Sequence, residues 1–151
     1  MLGKEEKSMS KVKVVFWSGS GNTQAMADAV ANGIRSAGAE AEVTTFDSLS
    51  PSDAANESAI AFGCPAMGVE VLEEGTVEPF MADYETKCNG KKVALFGSYG
   101  WGDGQWMRDW QDRLVAAGAS IIGGEGIIAN SAPDDDAISQ CEDLGRQLAQ
   151  A

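Results

Sequence analysis

The chain contains no histidine. That absence excludes a Ser-His-Asp triad, a Cys-His pair and any metal centre built on imidazole. If the protein handles electrons, a bound organic group must carry them. Cysteine is scarce: Cys64, Cys88 and Cys141 are odd in number, widely spaced and form no C-x-x-C. This argues against structural disulfides and for a reducing, cytoplasmic setting. No apolar run approaches the ~20 residues of a membrane helix. Met1 to Ser8 is too polar for a signal peptide and reads as an extension, with Met9-Ser10-Lys11 as a candidate original start. Basic residues are few. From Ser36 to Thr86 there is no Lys or Arg, while the same stretch holds eleven carboxylates, and the net charge is −12. Nucleic acid is thereby excluded as a partner, since its phosphates require the opposite sign. Most of these carboxylates serve solubility, and some could form a docking face for basic proteins.

What is present is one domain's worth of alternating patterns. With 151 residues, the chain suits a single domain over residues 11–151 behind an extension over residues 1–10. Short continuous apolar runs predict strands at Val12–Trp17, Ala41–Phe46, Ala59–Phe62, Lys92–Phe96 and Ser120–Ile128. Helical spacing predicts helices at Gln24–Ser36, from Ser50-Pro51-Ser52-Asp53, at Val77–Tyr84, at Gln105–Ala117 and at Ala137–Gln150. The series β-α-β-α-β-α-β-α-β-α, joined by right-handed crossovers, gives a five-stranded parallel sheet with helices on both faces. Ligands of such sheets bind beyond the carboxyl ends of the strands.

Three loops at those ends have unusual chemistry. The first is Ser18-Gly19-Ser20-Gly21-Asn22-Thr23. It has two glycines, three hydroxyls and an amide, but no basic residue. It lacks the lysine of a nucleotide-triphosphate loop, and Gln24 stands where a dinucleotide fingerprint needs its third glycine. What remains is a nest of backbone N–H groups at a helix amino end, suited to one terminal phosphate. Trp17 walls it. The second loop is Cys64-Pro65-Ala66-Met67-Gly68-Val69-Glu70, and the third is Gly97-Ser98-Tyr99-Gly100-Trp101-Gly102-Asp103. Trp101 lies between glycines that offer no side chains to pack against, so it should project. An indole and a soft Met67 on adjacent loops, beside a phosphate nest, favour a planar ring between them. Trp106 and Trp110 are spaced for core packing, Cys64 reads as a small buried residue, and Asp47 as a solvated strand end.

These three motifs, in order and at the right strand ends, resemble a short-chain flavodoxin of the anaerobic bacterial type. The likeness runs from Lys11 to Ala151, and no long insertion interrupts Ser120–Ile128. It implies a flavodoxin-like three-layer α/β/α sandwich with strand order 2-1-3-4-5. It also implies a low-potential one-electron carrier, monomeric and cytoplasmic, using noncovalent FMN in place of ferredoxin between redox enzymes with basic docking faces, such as flavodoxin/ferredoxin reductases. By the resemblance, Ser18, Gly19, Ser20, Gly21, Asn22 and Thr23 hold the phosphate. Pro65 and Ala66 flank it, with Pro65 replacing a serine of some relatives. Met67 and Trp101 cover the two ring faces, and Glu70 accepts the flavin N3–H. Gly68 carries the peptide that reorients on reduction. Gly100 to Gly102 reach the pyrimidine edge, with Ser98 and Tyr99 as neighbours. Val69 stands where relatives have Asp, Asn, Ser or Gly. If the flipped form that this turn takes up on reduction is a type II turn, Val69 would need positive φ there, which a β-branched residue resists. A flavodoxin-like FMN-dependent quinone or nitro reductase, and a small FMN-binding regulatory module, remain as alternatives. An enzyme would be a dimer turning over NAD(P)H.

Overall fold

Val12, Val14 and Phe16 enter one apolar cluster and Val15 enters another. The first strand is therefore buried on both faces, as its unbroken apolar run predicts. The same alternation recurs in the central strands. Ala61, Ala94 and Phe96 face one side, and Ile60, Phe62, Val93 and Leu95 face the other. The computed structural model describes residues 11–151. The expected extension over residues 1–10 lies outside the described residues.

The elements are β1 (Lys11–Phe16), α1 (Asn22–Ser36), β2 (Glu40–Thr45), α2 (Pro51–Ala55), β3 (Ala59–Gly63), α3 (Val77–Tyr84), β4 (Lys92–Tyr99), α4 (Gln105–Ala116), β5 (Ser120–Ile121), β6 (Ile127–Asn130) and α5 (Asp135–Ala149). Among the described residues, the pairings between these strands are all parallel. The order is β2-β1-β3-β4-β5, with β6 also pairing β4. Helices α1 and α5 cover one face, where Met26, Val30 and Ile34 meet Cys141, Leu144 and Leu148. These two helices approach so closely that a Cβ on Gly33 would lie 1.9 Å from the Glu142 carbonyl oxygen. Helices α3 and α4 cover the other face with Phe80, Tyr84, Trp106 and Trp110. Trp106 and Trp110 are core residues, as their spacing requires.

Two boundaries differ from the sequence expectation in ways that shape the site. The fourth strand runs three residues further, to Tyr99, so Gly97, Ser98 and Tyr99 belong to the sheet rather than to a loop. The fifth strand is two segments. Gly123 (φ 77°) and Gly124 (φ 88°) turn the chain out of the sheet. The Gln111 side chain then accepts the Gly126 N–H at 2.6 Å, and β6 re-enters opposite Phe96. An apolar run signals the strand but not the left-handed glycines that interrupt it.

Candidate functional site

The ladders place Phe16, Gly63, Phe96 and Ile127 in one row across the sheet. The segments that follow β1, β3, β4 and β6 therefore emerge at one edge. They enclose an open cavity of about 290 Å³ lined by Trp17, Gly19, Ser20, Asn22, Pro65, Ala66, Met67, Ser98, Tyr99, Gly100 and Ser131. Trp17 walls it as expected. Ser131 was not anticipated, because the run of isoleucines placed the end of the last strand at Ile128, short of the observed Asn130. Ser18, Gly21, Gly68, Glu70, Trp101 and Gly102 do not line this cavity, although each sits in one of the loops that form it, and neither does Thr23.

At the β1 end the loop is held by its own hydroxyls. The Gly21 N–H donates to Ser18 Oγ at 3.0 Å, and the Asn22 N–H to Ser20 Oγ at 3.4 Å. Gly21 takes φ 96° and starts α1. Asn22 and Thr23 are thus the first residues of the helix rather than loop. Thr23 turns inward and is 1 % exposed. Its Oγ1 lies 3.3 Å from Ser98 Oγ and accepts the Ser98 N–H at 3.4 Å. Thr23 therefore fixes the helix end against β4 and does not present its hydroxyl to the cavity. The amino end of α1 has no acidic residue in its first turn. The other helix starts differ. Ser50 caps α2, Asp134 caps α5, and carboxylates hold α3 and α4. Among the described α-helix starts, that of α1 alone carries no carboxylate, an electrostatic setting that suits an anion.

The β3 loop makes a tight turn. Met67 and Val71 exchange N–H···O bonds of 2.8 and 3.0 Å. The three residues between them carry positive φ at the first and last positions, Gly68 (49°) and Glu70 (57°). Val69, the middle residue, is outside the left-handed region and 78 % exposed. In this conformation the positive φ values fall on Gly68 and Glu70 and not on Val69, because bridging at Met67 and Val71 sets a three-residue turn.

Glu70 spans two loops. Its Oε1 accepts the N–H groups of Gly104 and Gln105 at 3.1 and 2.8 Å, at the start of α4. The carboxylate fills the space where Gly102 lacks a side chain, since a Cβ there would meet it at 2.5–2.8 Å. Between Gly100 and Gly102, Trp101 projects with 65 % exposure. Cys64 anchors the same region from below: its carbonyl accepts Trp106 Nε1–H at 3.0 Å. Burial pushes its thiol up to about 12, more than the Glu73 amide hydrogen bond can offset. Cys64 is therefore an inert packing residue.

The acidic residues beside the site are largely committed. Glu73 accepts the amides of Gly75, Thr76 and Val77 at 2.8, 2.8 and 3.0 Å. Partial desolvation raises its carboxyl, and the Val77, Thr76 and Gly75 amides together outweigh that and hold it below the usual glutamate range. Glu78 makes a bidentate pair with Arg113 at 2.9 and 2.7 Å, and Glu85 bonds the same guanidinium. Of Glu70, Glu73, Glu74 and Glu78, only Glu74 is exposed.

The flavodoxin family model matches residues 14–143. The chain belongs to the flavodoxin family. It is 46% identical over 140 residues to the flavodoxin of Megasphaera elsdenii, covering 93% of this chain and 99% of the relative. It is 43% identical over 138 residues to the flavodoxin of Clostridium beijerinckii, covering 91% and 99%. The solution structure of two-electron reduced Megasphaera elsdenii flavodoxin superposes with a TM-score of 0.82 at 44% identity, covering 93% of this chain and 99% of that one. The chain is an electron-transfer flavoprotein rather than a substrate-converting enzyme, and the reductase alternative is not favoured. The family implies a flavin cofactor and work as a redox partner of other proteins. Among the described residues, no helix is long and apolar enough to cross a membrane.

Proposed function

We propose that the protein carries electrons one at a time on noncovalently bound FMN, between redox enzymes whose docking faces are basic. The observation that carries this reading is the shared cavity. The acid-free amino end of α1 and the exposed face of Met67 open into one space of about 290 Å³. The residues fit the group. Ser20, Asn22 and the loop amides suit a phosphate dianion. Pro65, Ala66, Met67 and Tyr99 suit an apolar ring, and Trp101 stands free to stack on it.

When bound, FMN supplies the one-electron chemistry. The chain supplies position. Ser18 and Ser20 hold the phosphate loop in shape, and Thr23 with Ser98 fixes the helix that ends it. With Oε1 on the α4 amides, Glu70 has its second oxygen left for a ring N–H. Gly68 has φ 49° and open space where a Cβ would be, and in this reading its peptide is the one that would reorient on reduction. The amides of Gly100, at the cavity, and of Trp101 and Gly102 beside it would reach the pyrimidine edge of the ring. The chain works as a cytoplasmic monomer in this reading.

The test is the colour and selectivity of the purified protein. A yellow protein with absorption near ~450 nm is expected. FMN should bind far more tightly than riboflavin, because the α1 amino end recognises the phosphate. Equal affinity for the two would overturn the assignment.

A further inference from the structure

Just beyond β3, the ladder with β4 is interrupted by one bond. Bonds in a parallel pair follow one another evenly along the strands. Two of them continue past Gly63: the Cys64 N–H donates to Phe96 O at 3.1 Å, and the Ala66 N–H to Ser98 O at 3.0 Å. The bond between these two would run from the Ser98 N–H to Cys64 O, and it is not made. The Ser98 N–H donates instead to Thr23 Oγ1 at 3.4 Å. The Cys64 carbonyl receives Trp106 Nε1–H at 3.0 Å, and this bond is buried. Gly97 makes room for the indole. A Cβ there would lie 2.1 Å from Cys64 O and 3.1 Å from Trp106 Cζ2, so a side chain would part donor from acceptor.

That bond sits at the root of the segment that carries Met67. At the segment's other end, Glu70 Oε1 accepts the Gln105 N–H. Residues 64–70 are therefore tied at both ends to the first two residues of α4, Gln105 and Trp106. Pro65, Ala66 and Met67 lie between the ties and line the cavity. The Gln105 tie is exposed, so water can replace it. The Cys64 tie is not, and a buried carbonyl without a donor is costly. Removing the indole N–H therefore drives Cys64 to shift, and Met67 with it. Ser20 and Asn22 stand on a different loop and keep their places. Trp110 supplies the contrast. It is one turn further along α4 and 1 % exposed, as Trp106 is, yet among the described residues its Nε1 has no partner.

We propose that Trp106 is a positioning residue for the flavin ring: its N–H holds the Cys64 carbonyl and so sets where Met67 meets the ring. This rests on the flavin reading of the cavity. The test titrates the full-length protein, stripped of flavin, with FMN, riboflavin and lumiflavin, the last a ring without a tail. Trp106→Phe should bind lumiflavin about three- to tenfold more weakly, the effect of one lost hydrogen bond. FMN and riboflavin should weaken by the same factor, leaving the preference for FMN over riboflavin unchanged. Trp110→Phe removes the same bulk and no bond, so it should bind all three flavins as wild type does. Site-specific replacement of Trp106 by 3-benzothienylalanine keeps the bulk and puts sulfur in place of the N–H. It should show the Trp106→Phe loss, and it decides the matter if Trp106→Phe does not fold. Wild-type lumiflavin affinity in the benzothienyl protein would overturn the proposal. So would an equal loss in Trp110→Phe, or a fall in the preference for FMN, the mark of general loosening. A wild type that fails to bind FMN would instead bring down the flavin reading itself.

Discussion

Glu70 and Gln105 are thirty-five positions apart and joined by one hydrogen bond, from the Gln105 N–H to Glu70 Oε1 at 2.8 Å. That bond, with its neighbour from Gly104, ties the Met67–Val71 turn to the helix that follows Trp101. Glu70→Ala removes an anionic acceptor from a helix amino end and leaves two amides unpaired. A loss of about 1 kcal/mol of stability is expected, along with weaker flavin binding as the Trp101 loop loosens. Glu70→Gln should restore most of the stability but not the electrostatic effect on flavin potential. Thermal unfolding and potentiometry separate the two.

Glu73 gives the protein an acid-sensitive helix start. Its folded carboxyl titrates below the ordinary range, so the stabilisation is complete above the unfolded value of about 4.3. It is lost as pH falls through the folded value. Glu73→Ala should therefore lower the melting temperature at pH 7. The gap from wild type should close in acid, below about pH 4. A gap independent of pH would show that the charge is not what holds α3.

Val69 is exposed and its backbone is outside the left-handed region. Val69→Gly should therefore shift the first-electron potential by less than about 40 mV, the equivalent of 1 kcal/mol for one electron. A larger positive shift in a dye-equilibrated titration would show that the turn passes positive φ to Val69 when the flavin is reduced.

Docking should depend on the free carboxylate rather than the committed ones. Glu74→Gln should slow reduction by a basic donor about twofold at low ionic strength, with the effect fading as salt rises. Glu78→Gln acts mainly by loosening Arg113, so it should lower stability more than it alters the salt dependence. Stopped-flow rates across a salt series, set beside melting curves, check both.

The surrounding carboxylates should also oppose negative charge placed on the ring. One charge at ~10 Å and an effective dielectric of ~40 contributes roughly 0.8 kcal/mol. Several such charges predict a second-electron potential well below the first, rising with salt. A potential insensitive to ionic strength would contradict this.

The sequence by itself determined the sheet, its flanking helices and the three loops that carry the site. Each of these is written locally: apolar runs of strand length, helical spacing, and glycines beside hydroxyls at the strand ends. It also determined Trp101 as an exposed residue, because neighbouring glycines leave an indole nothing to pack on. The tertiary structure decided which polar groups are free and which are used. Thr23 reads as a phosphate ligand until β4 brings Ser98 to within 3.3 Å. Glu73 and Glu78 are two of the many carboxylates between Ser36 and Thr86, and only the fold commits them, as α3 starts over the first and Arg113 reaches the second. Ser131 becomes part of the site only because a glycine turn splits the last strand and returns its end beside Tyr99. Spacing along a chain fixes which face a side chain takes within its own element. The partner that satisfies it is chosen by elements packed from elsewhere in the sequence, through hydrogen bonds with no local signature.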